Sequence, residues 1–491
     1  MGPDPRSASW VAERLRAGAA SAEEIVRRSL ARAGEVRELN CLSLLLQEEA
    51  IARAKVLDRE RLAGMPLPPL AGVPFVVKNL LDVAGHPTLA GAEARQDEAP
   101  ARRSAAVVRA LIAAGAIPVA LTQMDEYACG ATGENVIGGP VRNPRDPTRI
   151  TGGSSAGTAA AIAAGIAPLG LGSDTNGSIR APAAFCGVWG LRPTTGGVST
   201  QGCFPYAQSL DAVGPMASDA EGLALAYQAM QAAGPAGFGG TLLRGNAARG
   251  LRVGVLGAGF GDFAEDEARD AVLSVASGFR SARTIDLPDA DLARDAASII
   301  SAFEVGYNHL QRGFAVNHPA YSAFVRQRML AGLAIPESWY QTAKRYQAAW
   351  RKRIESLFDG VDLLLACTTP YVAPPIGVDR FAGTARIYRP RADAGHMTRP
   401  ISLAGLPVVT APCRRDGMPL GVQLIGPPGQ EARCLEAALF LEAEGLCGRS
   451  QTAPPVQGRG RSGIPGIPPS HASPGRKRQS GATGPRRVRG P

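Results

Sequence analysis

The chain has 491 residues, 45% of them hydrophobic and 20% charged, with a formal net charge of +10. This is the composition of a globular protein with a sizeable core; no apolar run reaches the ~18 residues of a membrane span, and MGPDPRSASWVAERLRAG lacks the apolar stretch of a secretory signal, so a cytoplasmic location is expected. The charge is local: residues 449–491 hold nine Arg or Lys and no acid, which leaves the preceding body at +1 without a basic footprint for nucleic acid.

In residues 1–60 apolar positions recur at helical spacing, as at Val11, Leu15, Ile25 and Leu30 and in the run IARAKVL. The pattern predicts two or three N-terminal helices packed on the core, with Ser21 and Glu24 as a capping box. From Leu70, short β-type runs (GVPFVV, AIPVAL, APLGLG) alternate with helical ones (SAAVVRALIAAG, SAGTAAAIAAG). That alternation predicts an α/β fold over residues 61–448, built on a large central mixed sheet flanked by helices. Residues 216–245 begin with a helical pattern and end in a Gly-rich loop. A further strand, LRVGVL, starts at Leu251; the GAGFGDF after it spaces its glycines as GxGxG, so the dinucleotide fingerprint fails. Residues 290–360 form a mainly helical cap holding Tyr307, Trp339, Tyr340, Tyr346 and Trp350, either packed on the α/β core or lining a pocket. LLLAC and PVVTAP read as buried strands, and GMPLGVQLIGPP as a turn feeding a strand. Residues 449–491, rich in Pro, Gly, Ser and Arg, read as a disordered tail: a solvated extension, or a basic arm that touches nucleic acid or membrane.

Eight cysteines (41, 129, 186, 203, 367, 413, 434 and 447) form no CxxC pair, and five histidines lie near no second metal-type ligand at a recognised spacing. Neither a disulfide framework nor a metal site is expected. No GxSxG elbow occurs, which weakens a Ser-His-Asp reading. The stretch GGSSAGTAAAIAAGIAPLGLGSDTNGSIRAPAAFCGVWGLRPTT instead places Ser154 and Ser178 on two Gly-rich turns, and Lys78 ends the apolar run GVPFVVK. A serine attacks only if something takes its proton, and a lysine serves as that base only when neutral, a state favoured by desolvation. Lys78 is therefore either such a base or a strand-end residue snorkelling to solvent. Ser155 caps the following Ala-rich helix or bonds locally. Asp174 and Arg180 flank Ser178 as a supporting ion pair or hydrogen-bond set, or as ordinary loop charges. Cys186, in AAFCGVWGL, fits a buried core position better than a thiol nucleophile.

These motifs resemble the amidase signature family, and the likeness runs over roughly residues 8–445. In that family the nucleophile lies 24 positions after a bridging serine, as Ser178 lies after Ser154, with GGSS at 152–155 and GSIR at 177–180 around them. The resemblance implies that Ser178 attacks an amide carbonyl, Ser154 relays its proton and Lys78 accepts it. It further implies a cis peptide at Gly153–Ser154, an oxyanion hole made by backbone N–H groups of Thr175, Asn176, Gly177 and Ser178, and neither metal nor organic cofactor. Asn176 stands where most members carry Gly, and its amide either reaches the substrate or braces the loop. Ala156 and Thr158 depart from the commoner GGSSGGS, and both are small.

Within the family, stretches such as PPLAGVPFVVKNLLDVAG, MDEYACGATGEN and DGMPLGVQLIG look most like the branch that hydrolyses 1-carboxybiuret. This implies a small anionic amide as substrate, a small helical accessory subunit, and a homodimer or hetero-oligomer. Arg399, in HMTRPISLAGLP, is then either the partner of the substrate carboxylate or a surface loop cation. The rival enzyme is the glutamine-hydrolysing component of a tRNA-dependent amidotransferase, against which the near-neutral body argues. The non-enzyme rivals are an inactive amidase-fold interaction protein, against which the complete Lys78, Ser154 and Ser178 set argues, and a nucleic-acid binder acting through the tail.

Overall fold

The alternating β-type and helical runs assemble into one eleven-stranded mixed sheet flanked by helices. The computed structural model describes residues 7–231 and 246–448. The Gly-rich loop expected before residue 245 and the tail expected over 449–491 fall outside those residues. Across the sheet the strands lie in the order Leu42–Leu45, Ile117–Thr122, Pro74–Lys78, Leu169–Asp174, Ala212–Ala217, Trp189–Arg192, Val408–Pro412, Gly421–Ile425, Leu363–Cys367, Arg252–Leu256 and Ser281–Ile285. Pro74–Lys78 runs parallel to both neighbours, which requires crossover segments such as the helix Ala106–Ala113. The middle of the sheet, from Leu169–Asp174 to Leu363–Cys367, is antiparallel throughout.

Packing against the sheet is closest where the chemistry-bearing turns begin. The helix Ala156–Ala163 is made of small and apolar residues and is buried on all sides, as expected of a helix with no polar face. It lies tightly over Leu169–Asp174 because that strand alternates glycine with larger residues. A Cβ at Gly170 would meet Thr158 and Val76, and one at Gly172 would meet Ser155 at 2.9 Å. Glycine in a strand marks such close approach.

The N-terminal expectation needs one correction. Helices Ala8–Arg16, Ala22–Glu35 and Gln47–Leu62 form, but Leu42–Leu45 is a strand at the sheet edge, paired antiparallel with Ile117–Thr122. Four residues are too few for the apolar spacing to separate helix from strand, and sheet pairing decides. Farther on, Met216 and Ala217 end the strand Ala212–Ala217, and the helix of that region starts only at Ala220. LRVGVL forms the strand Arg252–Leu256, followed by a turn and a short 3-10 helix, Gly261–Phe263.

The cap segment contains helices Ala290–Gln311, Ala323–Leu333 and Glu337–Ser356. Trp350 is buried and donates its indole N–H to Pro400 O at 2.8 Å, while Trp339 stays exposed. Gln347 likewise donates to Leu403 O at 3.1 Å, so the cap grips the short helix Arg399–Ala404. No helix among the described residues is long and apolar enough to cross a membrane.

The capping box at Ser21 is formed in both directions, with Glu24 N–H to Ser21 Oγ at 3.1 Å and Ser21 N–H to Glu24 Oε2 at 2.9 Å. Ser21→Ala should lower the unfolding free energy by about 1 kcal/mol. A urea titration would show this as a lower midpoint with an unchanged slope.

Candidate active site

Lys78 ends an interior strand whose five residues are all buried, and its own side chain has no solvent exposure. Its Nζ donates to Ser154 Oγ at 2.7 Å and to Ser173 Oγ at 2.9 Å. Desolvation brings the amine down to about 7, against the opposing pull of Cys203, Asp125, Asp174 and Asp211. Lys78 is thus no snorkelling surface residue.

Ser154 is equally buried and lies in the turn between strand Asp146–Ile150 and helix Ala156–Ala163. The Gly153–Ser154 peptide is cis. Gly153 N–H is held by Ala131 O at 3.0 Å, and Ser155 N–H donates to Ser178 O at 3.1 Å, which ties the two serine turns together. The Ser155 hydroxyl makes no helix cap; it pairs with Ser173 through O at 3.2 Å and N–H at 3.3 Å.

Ser178 follows the strand Leu169–Asp174, just before helix Arg180–Cys186, and is partly exposed on a cleft of about 510 Å³. The structure brings Lys78 and Ser154 into direct contact, whereas no hydrogen bond joins Ser154 to Ser178. In the turn before Ser178, Gly177 holds φ at 126° and any Cβ there would overlap the Thr398 side chain. Gly177 N–H donates to Asp174 Oδ1 at 2.8 Å, so this amide braces the turn. The N–H groups of Thr175, Asn176 and Ser178 have no partner among the described residues.

Asp174 is the hub beneath that turn. Besides Gly177 N–H, its carboxylate accepts Ile179 N–H at 3.2 Å and Arg180 N–H at 3.3 Å. Arg180 binds it with both arms of its guanidinium, at 2.9 Å each, and Arg192 joins at 3.3 Å. Burial alone would raise the Asp174 carboxyl; the charge and hydrogen bonds of Arg180, with Arg192, outweigh it and hold the group well below the usual carboxylate range. Arg180 is completed by Gln423 Oε1 at 2.8 Å and Thr398 O at 3.1 Å. The loop-charge alternative for Asp174 and Arg180 therefore falls. Cys186 is wholly buried and its thiol is pushed up by desolvation.

Three arginines line the cleft around Ser178: Arg328, Arg391 and Arg399, with Tyr206 among them and no Asp or Glu in the lining. Arg391 lies 3.6 Å from Glu134, while Arg328 and Arg399 have no ion-pair partner among the described residues. Burial, then the neighbouring Arg328, lowers the Arg399 guanidinium. Asn176 also lines the cleft; its side-chain amide gives an N–H to Ser301 Oγ of the cap at 3.0 Å, while its Oδ1 is buried without a partner. Sequence reading missed Ser173, Arg192, Arg328, Arg391 and Gln423. Ser173 alone carried a local signal, as a polar residue next to Asp174 in a run otherwise of Leu and Gly.

The amidase family profile matches residues 24–435 of the chain. AtzE, the 1-carboxybiuret hydrolase subunit of Pseudomonas sp. (strain ADP), is 42% identical over 89% of this chain and 98% of its own. One component of the glutamyl-tRNA(Gln) amidotransferase of Symbiobacterium thermophilum is 34% identical over 86% and 93% respectively. Among solved structures, a chain of an unexpected vestigial protein complex that reveals the evolutionary origins of an s-triazine catabolic enzyme superposes with a TM-score of 0.85 at 41% identity, covering 90% of this chain and 99% of that one.

Arg180 gives the buried Asp174 carboxylate two charge-assisted hydrogen bonds, and its loss leaves that carboxylate to the Arg192 guanidinium alone and takes a donor from Thr398 O and Gln423 Oε1 in a dry site. Arg180→Met should cost about 3–5 kcal/mol of stability. Breaking the more exposed Arg252–Asp362 pair by Arg252→Met should lower the denaturant midpoint far less. Denaturant midpoints of the two variants, measured side by side, check the contrast.

Proposed function

The chain belongs to the amidase signature family and is a hydrolase of C–N bonds; on that premise we propose that it cleaves a small carboxylate-bearing amide, 1-carboxybiuret or a related carboxylated urea, through Ser178, Ser154 and Lys78. The observation that carries this reading is a dry lysine bonded to Ser154, next to a cleft lined by Gly153, Ser178 and three arginines.

Ser178 Oγ attacks the amide carbonyl while its proton passes to Ser154 and the Ser154 proton passes to the Lys78 lone pair. The second hydroxyl on Lys78 has a use here: by accepting one N–H, Ser173 leaves the neutral amine's lone pair directed at Ser154. The unpartnered N–H groups of Thr175, Asn176 and Ser178 meet the developing oxyanion. The Lys78 ammonium then returns its proton through Ser154 to the departing nitrogen, the C–N bond breaks and ammonia leaves. Water hydrolyses the acyl-enzyme by the same relay in reverse, releasing the acid.

A cationic cleft without a carboxylate supports an anionic substrate, which Arg399 binds as a fork with Arg328 and Arg391 nearby. The same lining disfavours glutamine, whose ammonium group would find no counter-charge, and this weighs against the amidotransferase reading. We further propose a small helical accessory subunit, because a similar chain was solved in a protein complex. All eight cysteines are free, which supports a cytoplasmic location.

Ammonia release should be fastest with carboxybiuret in a panel that includes biuret, allophanate, oxamate, malonamide and glutamine; use of glutamine alone would refute the substrate assignment. Ser178→Ala should lower the rate by about 10⁴-fold or more. Because the base works only as the free amine, kcat/KM should rise with pH through a midpoint at about 7 and fall away below it. Arg399→Met should raise KM for carboxybiuret by about 10–100-fold, with a smaller effect on uncharged biuret.

A further inference from the structure

We infer that Asp125 is a positioning residue that fixes the Gly153–Ser154 turn and supplies the counter-charge for the Lys78 ammonium formed during attack; this rests on the Ser178, Ser154 and Lys78 reading.

Three carboxylates reach Lys78 through the low dielectric of this site: Asp125, Asp174 and Asp211. Two of them are already committed. Asp174 is held by two arginines, and Asp211 accepts Tyr206 N–H at 2.9 Å, Ala207 N–H at 3.1 Å and the Thr175 hydroxyl. Asp125 is buried too, yet it accepts only Gly133 N–H, at 3.2 Å, and has no ion pair among the described residues. Its charge is the least spent of the three.

Its placement is enforced by glycine. A Cβ at Gly130 or at Gly153 would overlap the Asp125 carboxylate, so that group fills space two cleft-lining residues leave open. Gly153 is the residue before Ser154, and its N–H is held by Ala131 O of the same loop at 3.0 Å. The Asp125–Ala131 loop therefore grips the Ser154 turn from two sides. Within it Tyr127 and Ala128 take φ of 49° and 60°, a conformation non-glycine residues rarely adopt. Tyr127 N–H to Ala90 O at 2.7 Å and Ala128 N–H to Asp125 O at 2.9 Å hold them there.

Charged and titratable groups facing Lys78 are Cys203, Asp125, Asp174 and Asp211; those facing Asp125 are Lys78, Arg391 and Glu134. Burial pushes the Cys203 thiol up, so it stays neutral. Burial also pushes Asp125 up, to about 6, which leaves it ionised in the range where Lys78 is the free amine.

The test is the pH dependence of Ser178 labelling by a fluorophosphonate probe, in which Ser178 Oγ bonds to phosphorus, fluoride leaves and the proton passes through Ser154 to Lys78. This readout needs no knowledge of the natural substrate. Wild type, Asp125→Asn and Asp125→Ser are compared, with thermal melts to confirm folding and peptide mapping to locate the label. Loss of the carboxylate should move the midpoint of the acid limb down by about one pH unit and slow maximal labelling about tenfold. Folded variants that keep the wild-type midpoint, even if labelled more slowly, would reduce Asp125 to a structural role and overturn the inference. Wild type that takes no label at Ser178 would instead sink the catalytic reading itself.

Discussion

An amine with no access to water governs this structure. Lys78 sits on an interior strand, closed in on both sides by neighbouring strands, and among the described residues only Ser154 and Ser173 bond to its nitrogen. Desolvation destabilises the ammonium form and makes a lysine basic in practice near neutrality. The surroundings then have to keep that lone pair useful: one hydroxyl to fix its direction and another to carry a proton outward. Ser154 is dry like the lysine, while Ser178 is partly exposed, so the proposed relay leads from the interior to the cleft wall.

The scaffold produces this gradient with small residues below and fixed charges around. Gly170 and Gly172 let an alanine-rich helix settle on the sheet, which carries Ser154 and Ser155 down to the level of Lys78. Asp174 gathers three backbone N–H groups and two guanidiniums, and so sets the turn that ends at Ser178. A carboxylate so heavily bonded is a poor proton acceptor and a good brace. Arg180 extends the brace to Thr398 and Gln423, linking the turn to the strand Gly421–Ile425.

Contiguous motifs were legible in the sequence because the site draws on neighbours there. The serine turns and the acid and arginine flanking Ser178 stand among glycines, and the lysine ends an apolar run where a charge is out of place. Residues delivered from a distance were not. Arg328 lies on a helix of the cap and Arg391 on a four-residue helix; each looks locally like a solvated charge, and only the fold turns them toward Ser178. Arg192 and Gln423 end or interrupt apolar strands, a pattern shared with ordinary sheet residues. The edge strand Leu42–Leu45 was hidden for a different reason: it is short, lies between two helices, and gains its identity from a partner some eighty residues away.

The crowding of positive charge around Ser178 has a kinetic side. Low-dielectric walls focus the field of the arginines into the opening, so anions are drawn in faster than neutral molecules of equal size. The acid left after hydrolysis is itself negative and must depart against that pull, whereas ammonia carries no charge until it meets bulk water. On the proposed anionic substrate, throughput would be tied to the surrounding ionic strength, with salt easing the exit of one product while dulling the capture of the next molecule.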